Sequence, residues 1–234
     1  GTGGTPQTTA NGGTTGTPAT TGGTPSTGGT PGAAGTTGAA GTTATSTVLS
    51  CTPGVSPATP ALTDFSAGTS GWHATIGKWG APGNLTGSGF NYSSTGSTMQ
   101  WKVDTASANF VLYGTVMAPA GYGGGGMSFD QCVNTSTYTG VQFTLGGTVQ
   151  GCTLKFQVQT YDQQAIANGG GCDPTTSSCY GFPNKTLTTT TGPVVVKFAD
   201  LAGTGQPATA ADIAKEMLGL QWQLESPAPV GDGG

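Results

Sequence analysis

The sequence has no arginine and few charges of either sign. Charged residues make up 7% of its 234 residues, and six lysines stand against ten acids for a formal net charge of −4. Binding to phosphates requires clustered cations, so this composition argues against nucleic acid as a partner. The single histidine, His73, lies in a predicted strand, where a packing or surface role outweighs a catalytic one. Because general acid–base and triad chemistry lack their usual groups, we predict a protein without enzymatic activity.

Long apolar runs are also missing. No stretch approaches the ~20 apolar residues that a membrane helix needs, and no charged-then-apolar secretion signal opens the chain. The five cysteines show neither a CxxC pattern nor a Cys/His metal spacing, which favours an oxidising compartment over a zinc site. We therefore expect a secreted or cell-surface protein with no membrane span.

The cysteine spacing suggests which thiols pair. Cys172 and Cys179 bracket a short loop and are expected to form a disulfide bond, which would stabilise a long insertion by about 2 kcal/mol. Cys132 and Cys152 flank a predicted strand and are the next expected pair. Cys51 is then left over, for an intermolecular bond or a partner outside this sequence.

Glycine, threonine and proline dominate the first part of the chain. Residues 1–47 hold little besides Gly, Thr, Pro, Ala and Ser, and the unit Gly-Gly-Thr-Pro occurs three times. Such a segment buries too little apolar surface to offset its chain entropy, so a flexible linker is the favoured interpretation. The alternative is an assembly element that becomes ordered against a neighbouring subunit. Residues 48–60 form a transition segment, and 61–234 are predicted to form one domain.

The clearest regular structure lies in residues 140–161. Two runs there alternate apolar and polar residues, Val141–Leu145 and Leu154–Val158, and a glycine-rich connection separates them. Period-two alternation indicates strands with one buried and one exposed face, and we predict that the two runs pair as an antiparallel hairpin. Further short strands occur at turn-rich spacing, and the only helical signal is Thr209–Met217, which has capping-box spacing. The fold class expected is all-β, an antiparallel β-sandwich with one short helix, preceded by the low-complexity tail.

The exposed face of these strands carries amides rather than charges. Amide side chains bond sugar hydroxyls, and aromatic planes stack on the C–H faces of sugar rings. A structural role in packing is about equally expected for any single aromatic residue. Trp101 and Trp222 are assigned to the core by parity. The candidate ligand-binding residues are Gln142, Gln157, Gln159, Tyr161, Gln221, Gln223, Trp79, Tyr92 and Tyr180.

Residues 121–126 formally match the GxGxxG phosphate-binding pattern. The following sequence is not helical, so the backbone dipole that would hold a pyrophosphate is missing. A flexible turn that enters a strand is the preferred interpretation.

Several segments together resemble a known group of domains. Leu-Thr-Asp-Phe65, Gly-Gly-Met-Ser-Phe129, Thr135-Ser-Thr-Tyr-Thr-Gly-Val-Gln-Phe143, Val194-Val-Val-Lys-Phe-Ala-Asp-Leu201 and Leu220-Gln-Trp-Gln223 follow the order found in secreted bacterial jelly-roll domains. This galactose-binding-like group includes many carbohydrate-binding modules, and the resemblance covers about residues 61–225. It implies a jelly roll on a glycine- and threonine-rich tether. Many members hold a structural calcium ion, which makes Asp64 a candidate metal ligand, although the chain departs from their closing strand with paired aspartates.

Two functions follow as hypotheses. The first is a non-catalytic, secreted β-sandwich that binds a polysaccharide through the amide face and the loop aromatics. The second is a structural subunit of an extracellular filament or adhesive coat. In that homopolymer, a segment such as 43–49 of one copy would fill an open sheet edge of the next.

Overall fold

The computed structural model describes residues 51–63, 65, 72–73, 78–80, 85–104, 106–201 and 209–227, and for 72–73 and 78–80 the backbone alone. These residues form short strands in antiparallel sheets with one short helix, so the predicted all-β sandwich is confirmed. The strands are β1 (Trp72–His73), β2 (Lys78–Gly80), β3 (Thr86–Ser93), β4 (Thr98–Asp104), β5 (Asn109–Thr115), β6 (Tyr122–Val133), β7 (Gly140–Leu145), β8 (Thr153–Thr160), β9 (Asn184–Leu187), β10 (Gly192–Lys197) and β11 (Met217–Glu225).

One large sheet carries most of the strands. Its order is β1-β2-β3-β6-β11-β8-β9, and the remaining strands form two separate pairs, β4 with β5 and β7 with β10. Both pairs contribute apolar side chains to the core cluster that also contains residues of β6, β8 and β11. The large sheet is therefore one layer of the sandwich, and the two strand pairs form the other.

The predicted hairpin of residues 140–161 is wrong. Strand β7 pairs with β10, with Phe143 opposite Val194, whereas β8 pairs with β11 and β9. The connection 146–152 therefore leads from one sheet to another. Alternation fixed the two faces of each strand, but it contains no information on which strand is the neighbour.

The glycine run at 121–126 is not a turn. Strand β6 begins at Tyr122, so four consecutive glycines lie within the middle of the large sheet, between β3 and β11. A β-carbon on Gly126 would collide with the carbonyl oxygen of Leu220 on β11. Glycine is used here because neighbouring groups approach the backbone too closely for any side chain.

The core lies on one face of the large sheet. Phe156 and Val158 of β8 are fully buried, and Trp101 and Trp222 pack against this cluster, as parity predicted. The short helix α1 (Ala210–Lys215) covers one end of the core. Its N-cap is Thr209, whose hydroxyl oxygen accepts the Asp212 N–H at 3.2 Å, as the capping spacing predicted.

One of the two predicted disulfides forms and the other does not. Cys172 bonds Cys179, but Cys132 bonds Cys51, and Cys152 is a half-buried free thiol. The register explains the error, because Cys152 directly precedes β8 at the end of the sheet opposite to Cys132. Cys51–Cys132 spans 81 residues, and loop entropy for a ring of that size corresponds to about 4.5 kcal/mol.

The bond at Cys51 fixes the start of the described chain to the sheet. Val55 forms a parallel bridge with Val133, and its N–H donates to the carbonyl oxygen of Cys132 at 2.8 Å. No helix in the described part of the chain is long and apolar enough to cross a membrane.

Candidate functional site

The face of the large sheet that points away from the core is rich in amides and aromatics, and we call it the amide face. Residues opposite one another in adjacent strands share a face, so the register defines its two central rows. Across β3, β6, β11 and β8 these rows are Phe90, Gly126, Gln221, Gln157 and Tyr92, Gly124, Gln223, Lys155. Four of the predicted ligand-binding residues therefore do lie together.

The prediction that this face is exposed is wrong at its centre. Gln157, Gln159 and Gln221 are only 8%, 6% and 4% exposed. Glycines at neighbouring positions leave room for these side chains to lie close to the adjacent strand. The side-chain oxygen of Gln159 lies close above Gly219, and the side chain of Gln221 lies against Gly126. The amides therefore lie along the sheet rather than project from it.

Hydrogen bonds join the amides into one network. Gln159 Nε2 donates to Gln221 Oε1 at 2.8 Å. Gln221 Nε2 in turn donates to Gln157 Oε1 and to the Tyr92 hydroxyl, the latter at 3.0 Å. Each buried amide thus forms at least one hydrogen bond with a neighbouring amide, which lowers the cost of burying these polar groups.

Tyr92 continues the network towards the sheet end. Its hydroxyl donates to Gln223 Oε1 at 2.8 Å, and Gln223 Nε2 donates to Glu225 Oε1 at 2.6 Å. Lys155 forms a 2.6 Å ion pair with the second oxygen of Glu225. Burial raises the pKa of Tyr92 far above its usual value, so its hydroxyl stays protonated and remains a donor. The β8–β11 part of the face therefore carries a balanced pair of charges at one end, and the exposed Asp130 of β6 adds a carboxylate that accepts the Thr86 hydroxyl at 2.8 Å.

Two amide atoms have no partner in the described part of the chain. Gln157 Oε1 accepts hydrogen bonds, but its Nε2 donates none, and Gln159 Nε2 donates, but its Oε1 accepts none. The two residues are i and i+2 on β8 and share a face. Because the two residues are only 8% and 6% exposed, a ligand would reach this donor and this acceptor only through the small exposed part of each side chain.

Aromatic rings lie on the β3 side of these amides. Phe90 and Tyr92 are stacked with ring centroids 6.3 Å apart, and Tyr122 of β6 lies 6.4 Å beyond Tyr92. Phe90 and Tyr122 were missed from sequence. The alternation of Phe90, Asn91 and Tyr92 was the available signal for Phe90, whereas Tyr122 was hidden by the glycine run assigned to a turn.

The loop between β8 and β9 places a second aromatic pair at the other side. Phe182 continues the β8–β9 register opposite Gln159, is 4% exposed and contacts Tyr180 edge-on at 6.2 Å. Tyr180 is 39% exposed and adopts φ 68°, a left-handed conformation that is uncommon for a bulky residue. Its backbone N–H donates to Gln163 O at 2.7 Å, and its hydroxyl accepts from Asn168 at 3.1 Å.

The remaining candidates do not join this cluster. Gln142 is exposed but lies on β7, in a different sheet. Tyr161 follows the last residue of β8 and lines a depression at the sheet end, together with Asp162 and Glu216. For Trp79 the structure describes the backbone alone, paired in β2.

The two remaining elements of the sequence hypotheses lie outside the described residues. These are Asp64, the candidate calcium ligand, and the segment 43–49. Among the residues that are described, no group of three or more His, Cys, Asp or Glu side chains is placed to hold a metal ion.

The depression at the sheet end holds a carboxyl group whose pKa is raised. Burial, assisted by the neighbouring charge of Asp162, raises the pKa of the Glu216 carboxyl to about 7. The backbone oxygen of Glu216 also accepts the Tyr161 N–H at 2.9 Å. The site therefore links the start of the β8–β9 loop to the end of helix α1.

Comparison with known proteins adds no assignment to this geometry. No protein-family model, no curated protein and no solved structure matches the chain. The jelly-roll resemblance and the function it implies therefore remain predictions.

Proposed function

We propose that the protein is a non-catalytic carbohydrate-binding module that acts outside the cell and binds a neutral polysaccharide on the amide face. One observation carries the proposal. The free donor of Gln157 and the free acceptor of Gln159 lie side by side on β8, within a network whose other amides bond one another. A sugar hydroxyl both donates and accepts, so a donor beside an acceptor is complementary to a saccharide.

The surroundings of the amides favour a neutral polymer. The one cation among the central residues, Lys155, is paired with Glu225. An anionic polymer would have to compete with that carboxylate for the lysine, whereas uncharged hydroxyls need only the amides. Tyr180, exposed beside Phe182, supplies an aromatic ring for stacking on a sugar. The two disulfides fit an extracellular protein.

The test is binding of the full chain to a panel of neutral polysaccharides and soluble oligosaccharides, measured by affinity electrophoresis and calorimetry. We expect Gln157→Ala and Gln159→Ala each to weaken binding about tenfold, as expected for one or two lost hydrogen bonds in a shielded site. The matched control is Gln142→Ala, which removes an exposed amide from a different sheet and should leave the affinity unchanged.

Two results would overturn the proposal. One is the absence of binding across the whole panel by folded wild-type protein. The other is equal affinity of wild type and the two β8 variants, which would place any saccharide site elsewhere on the molecule.

A further inference from the structure

The hydrogen-bond network of the amide face has one end at which the direction of the bonds is fixed. Glu225 is the last residue of β11, and one of its carboxylate oxygens accepts the Gln223 Nε2–H at 2.6 Å, while the other forms the ion pair with Lys155. A carboxylate accepts hydrogen bonds and donates none. Gln223 therefore turns its nitrogen towards Glu225, because two oxygens this close would repel each other.

The constraint passes from Gln223 through Tyr92. The Gln223 Oε1 faces Tyr92, whose hydroxyl donates to it at 2.8 Å. A phenol has a single proton to donate, and Gln157 Oε1, at 3.5 Å from the hydroxyl, is too distant to compete for it. The hydroxyl can then only accept from Gln221, which presents its Nε2 at 3.0 Å. The direction imposed by Glu225 thus reaches Gln221.

The last step reaches strand β8. Gln221 Nε2 also donates to Gln157, so that Oε1 is the bonded end of Gln157. The Oε1 of Gln221 faces Gln159 and accepts its Nε2–H at 2.8 Å. Each amide has one oxygen and one nitrogen, so Gln159 keeps an oxygen and Gln157 keeps a nitrogen. Which atom each glutamine of β8 leaves over is therefore decided on the neighbouring strand, at Glu225.

The same contacts are compatible with a network of the opposite direction. Turning every amide over and rotating the Tyr92 hydroxyl would exchange donors for acceptors without moving the side chains. The contact with Glu225 distinguishes the two networks, because in the reversed one an amide oxygen would face the carboxylate. Since hydrogen bonds to charged groups are stronger than those between neutral ones, we expect the observed direction to be favoured at least about tenfold.

From this geometry we propose that Glu225 is a positioning residue of the saccharide site, which sets the direction of the network and thereby the donor at Gln157 and the acceptor at Gln159. Glu225 acts through Tyr92. The consequence for specificity is an order along β8: a ligand group that accepts hydrogen bonds is placed at Gln157, and one that donates is placed at Gln159. The role in binding rests on the proposed function, whereas the orientation of the amides is a property of the free protein.

Nuclear magnetic resonance of the full chain without ligand measures this direction. A hydrogen bond transmits a scalar coupling from the donor nitrogen to the carbonyl carbon of the acceptor, so the correlation identifies which side chain donates. In wild type we expect a correlation from Gln159 Nε2 to Gln221 Cδ and one from Gln223 Nε2 to Glu225 Cδ. The reverse correlation, from Gln221 Nε2 to Gln159 Cδ, should be absent.

The first variant removes the fixed end. Glu225→Gln replaces a group that only accepts by one that also donates, so both directions satisfy every contact. The Gln159-to-Gln221 correlation should fall to about half as the two populations approach each other, and the reverse correlation should appear. The matched control is Lys155→Met, which removes the same ion pair but keeps the carboxylate. It should leave both wild-type correlations unchanged.

The second variant interrupts the network while Glu225 stays in place. In Tyr92→Phe, Gln223 should still donate to Glu225, whereas the Gln159-to-Gln221 correlation should weaken as it does in Glu225→Gln. A change that only loosened the packing would weaken both correlations. The pattern therefore separates transmission of direction through the hydroxyl from a general structural effect.

Several results would overturn the proposal. An unchanged Gln159-to-Gln221 correlation in Glu225→Gln or in Tyr92→Phe would show that the orientation is set locally. Its loss in Lys155→Met would assign the role to the ion pair, and its absence in wild type would contradict the direction itself. If the correlations behave as expected and no polysaccharide binds, the proposed function fails, and the orienting role of Glu225 stands.

Discussion

Strand β8 shows how differently the two faces of one sheet bury their side chains. Phe156 and Val158 point to the core and are 0% exposed, while Gln157 and Gln159 point the other way and are 8% and 6% exposed. The apolar pair is buried by a second layer of structure. The amides bond one another, and Gln159 lies close above Gly219. The side chains buried on the two faces are therefore stabilised differently, by apolar packing on one face and by lateral hydrogen bonds on the other.

The largest expected effect tests the packed face. Phe156→Ala should lower the free energy of unfolding by about 3–5 kcal/mol, since it leaves a space beside Phe143 and Trp222. Urea denaturation of the full chain measures it, and Val195→Ala, at a position 57% exposed, should stay within about 0.5 kcal/mol of wild type. A loss below about 1.5 kcal/mol would instead mean that neighbouring side chains collapse into the vacated space, and the contrast with the amide face would fail.

The next effect tests the glycines under the amide face. A β-carbon on Gly124 would lie 2.6 Å from the Tyr92 hydroxyl and 2.5 Å from the Trp222 backbone oxygen. Gly124→Ala should therefore lower the unfolding free energy by about 2 kcal/mol. Gly146→Ala, where nothing lies within 4 Å, is the matched control. The double variant Gly124→Ala, Tyr92→Phe should be less destabilised than the sum of the two single variants. Strictly additive losses of unfolding free energy would show that the Tyr92 hydroxyl does not contact this glycine.

A smaller effect tests the hydrogen bonds alone. Tyr92→Phe keeps the ring but removes the hydroxyl that joins Gln221 to Gln223. We expect a loss of about 1–2 kcal/mol, because two partners lose a bond in a shielded site. Thermal unfolding beside the exposed Tyr113→Phe variant gives the comparison. Equal melting temperatures for both variants would show that the network contributes nothing to stability.

The smallest expected effect is a pH dependence of stability that arises at the sheet end, from Glu216. Amides do not titrate, and Tyr92 remains protonated, but Glu216 at the sheet end has a pKa raised from 4.5 to about 7. The folded state then binds more protons than the unfolded state between these values, so stability falls as pH rises from 4.5 to 7 and levels off above. Glu216 is only half-buried, and after allowance for solvent screening we expect on the order of 1 kcal/mol.

Melting temperatures between pH 4.5 and 8 measure this dependence. Glu216→Gln should reduce its slope in the acid range. A slope unaffected by Glu216→Gln would assign the titration to another group.

The alternation of apolar and polar residues predicted which side chains of a strand share a face. It did not predict which strands or side chains pack against that face. Parity correctly placed Phe156, Trp222 and Gln157, because alternation is a property of a single strand. The partner of β7 was mispredicted because the pairing is with β10, a strand far along the chain in which Val194 lies opposite Phe143. The flattening of the amides was also not predictable, since it requires knowing that glycines of β6 and β11 lie beneath side chains of other strands.

The bond between Cys51 and Cys132 gives the chain a defined mechanical anchor. Tension applied through the residues before Cys51 reaches β6 across a covalent link, in the middle of the seven-stranded sheet. The force does not first detach residues 52–131 from the sheet, because the disulfide bond closes that whole stretch into a ring. Strand β6 is hydrogen-bonded to β3 on one side and to β11 on the other. The force is therefore resisted by two rows of backbone hydrogen bonds, whereas an edge strand would offer only one.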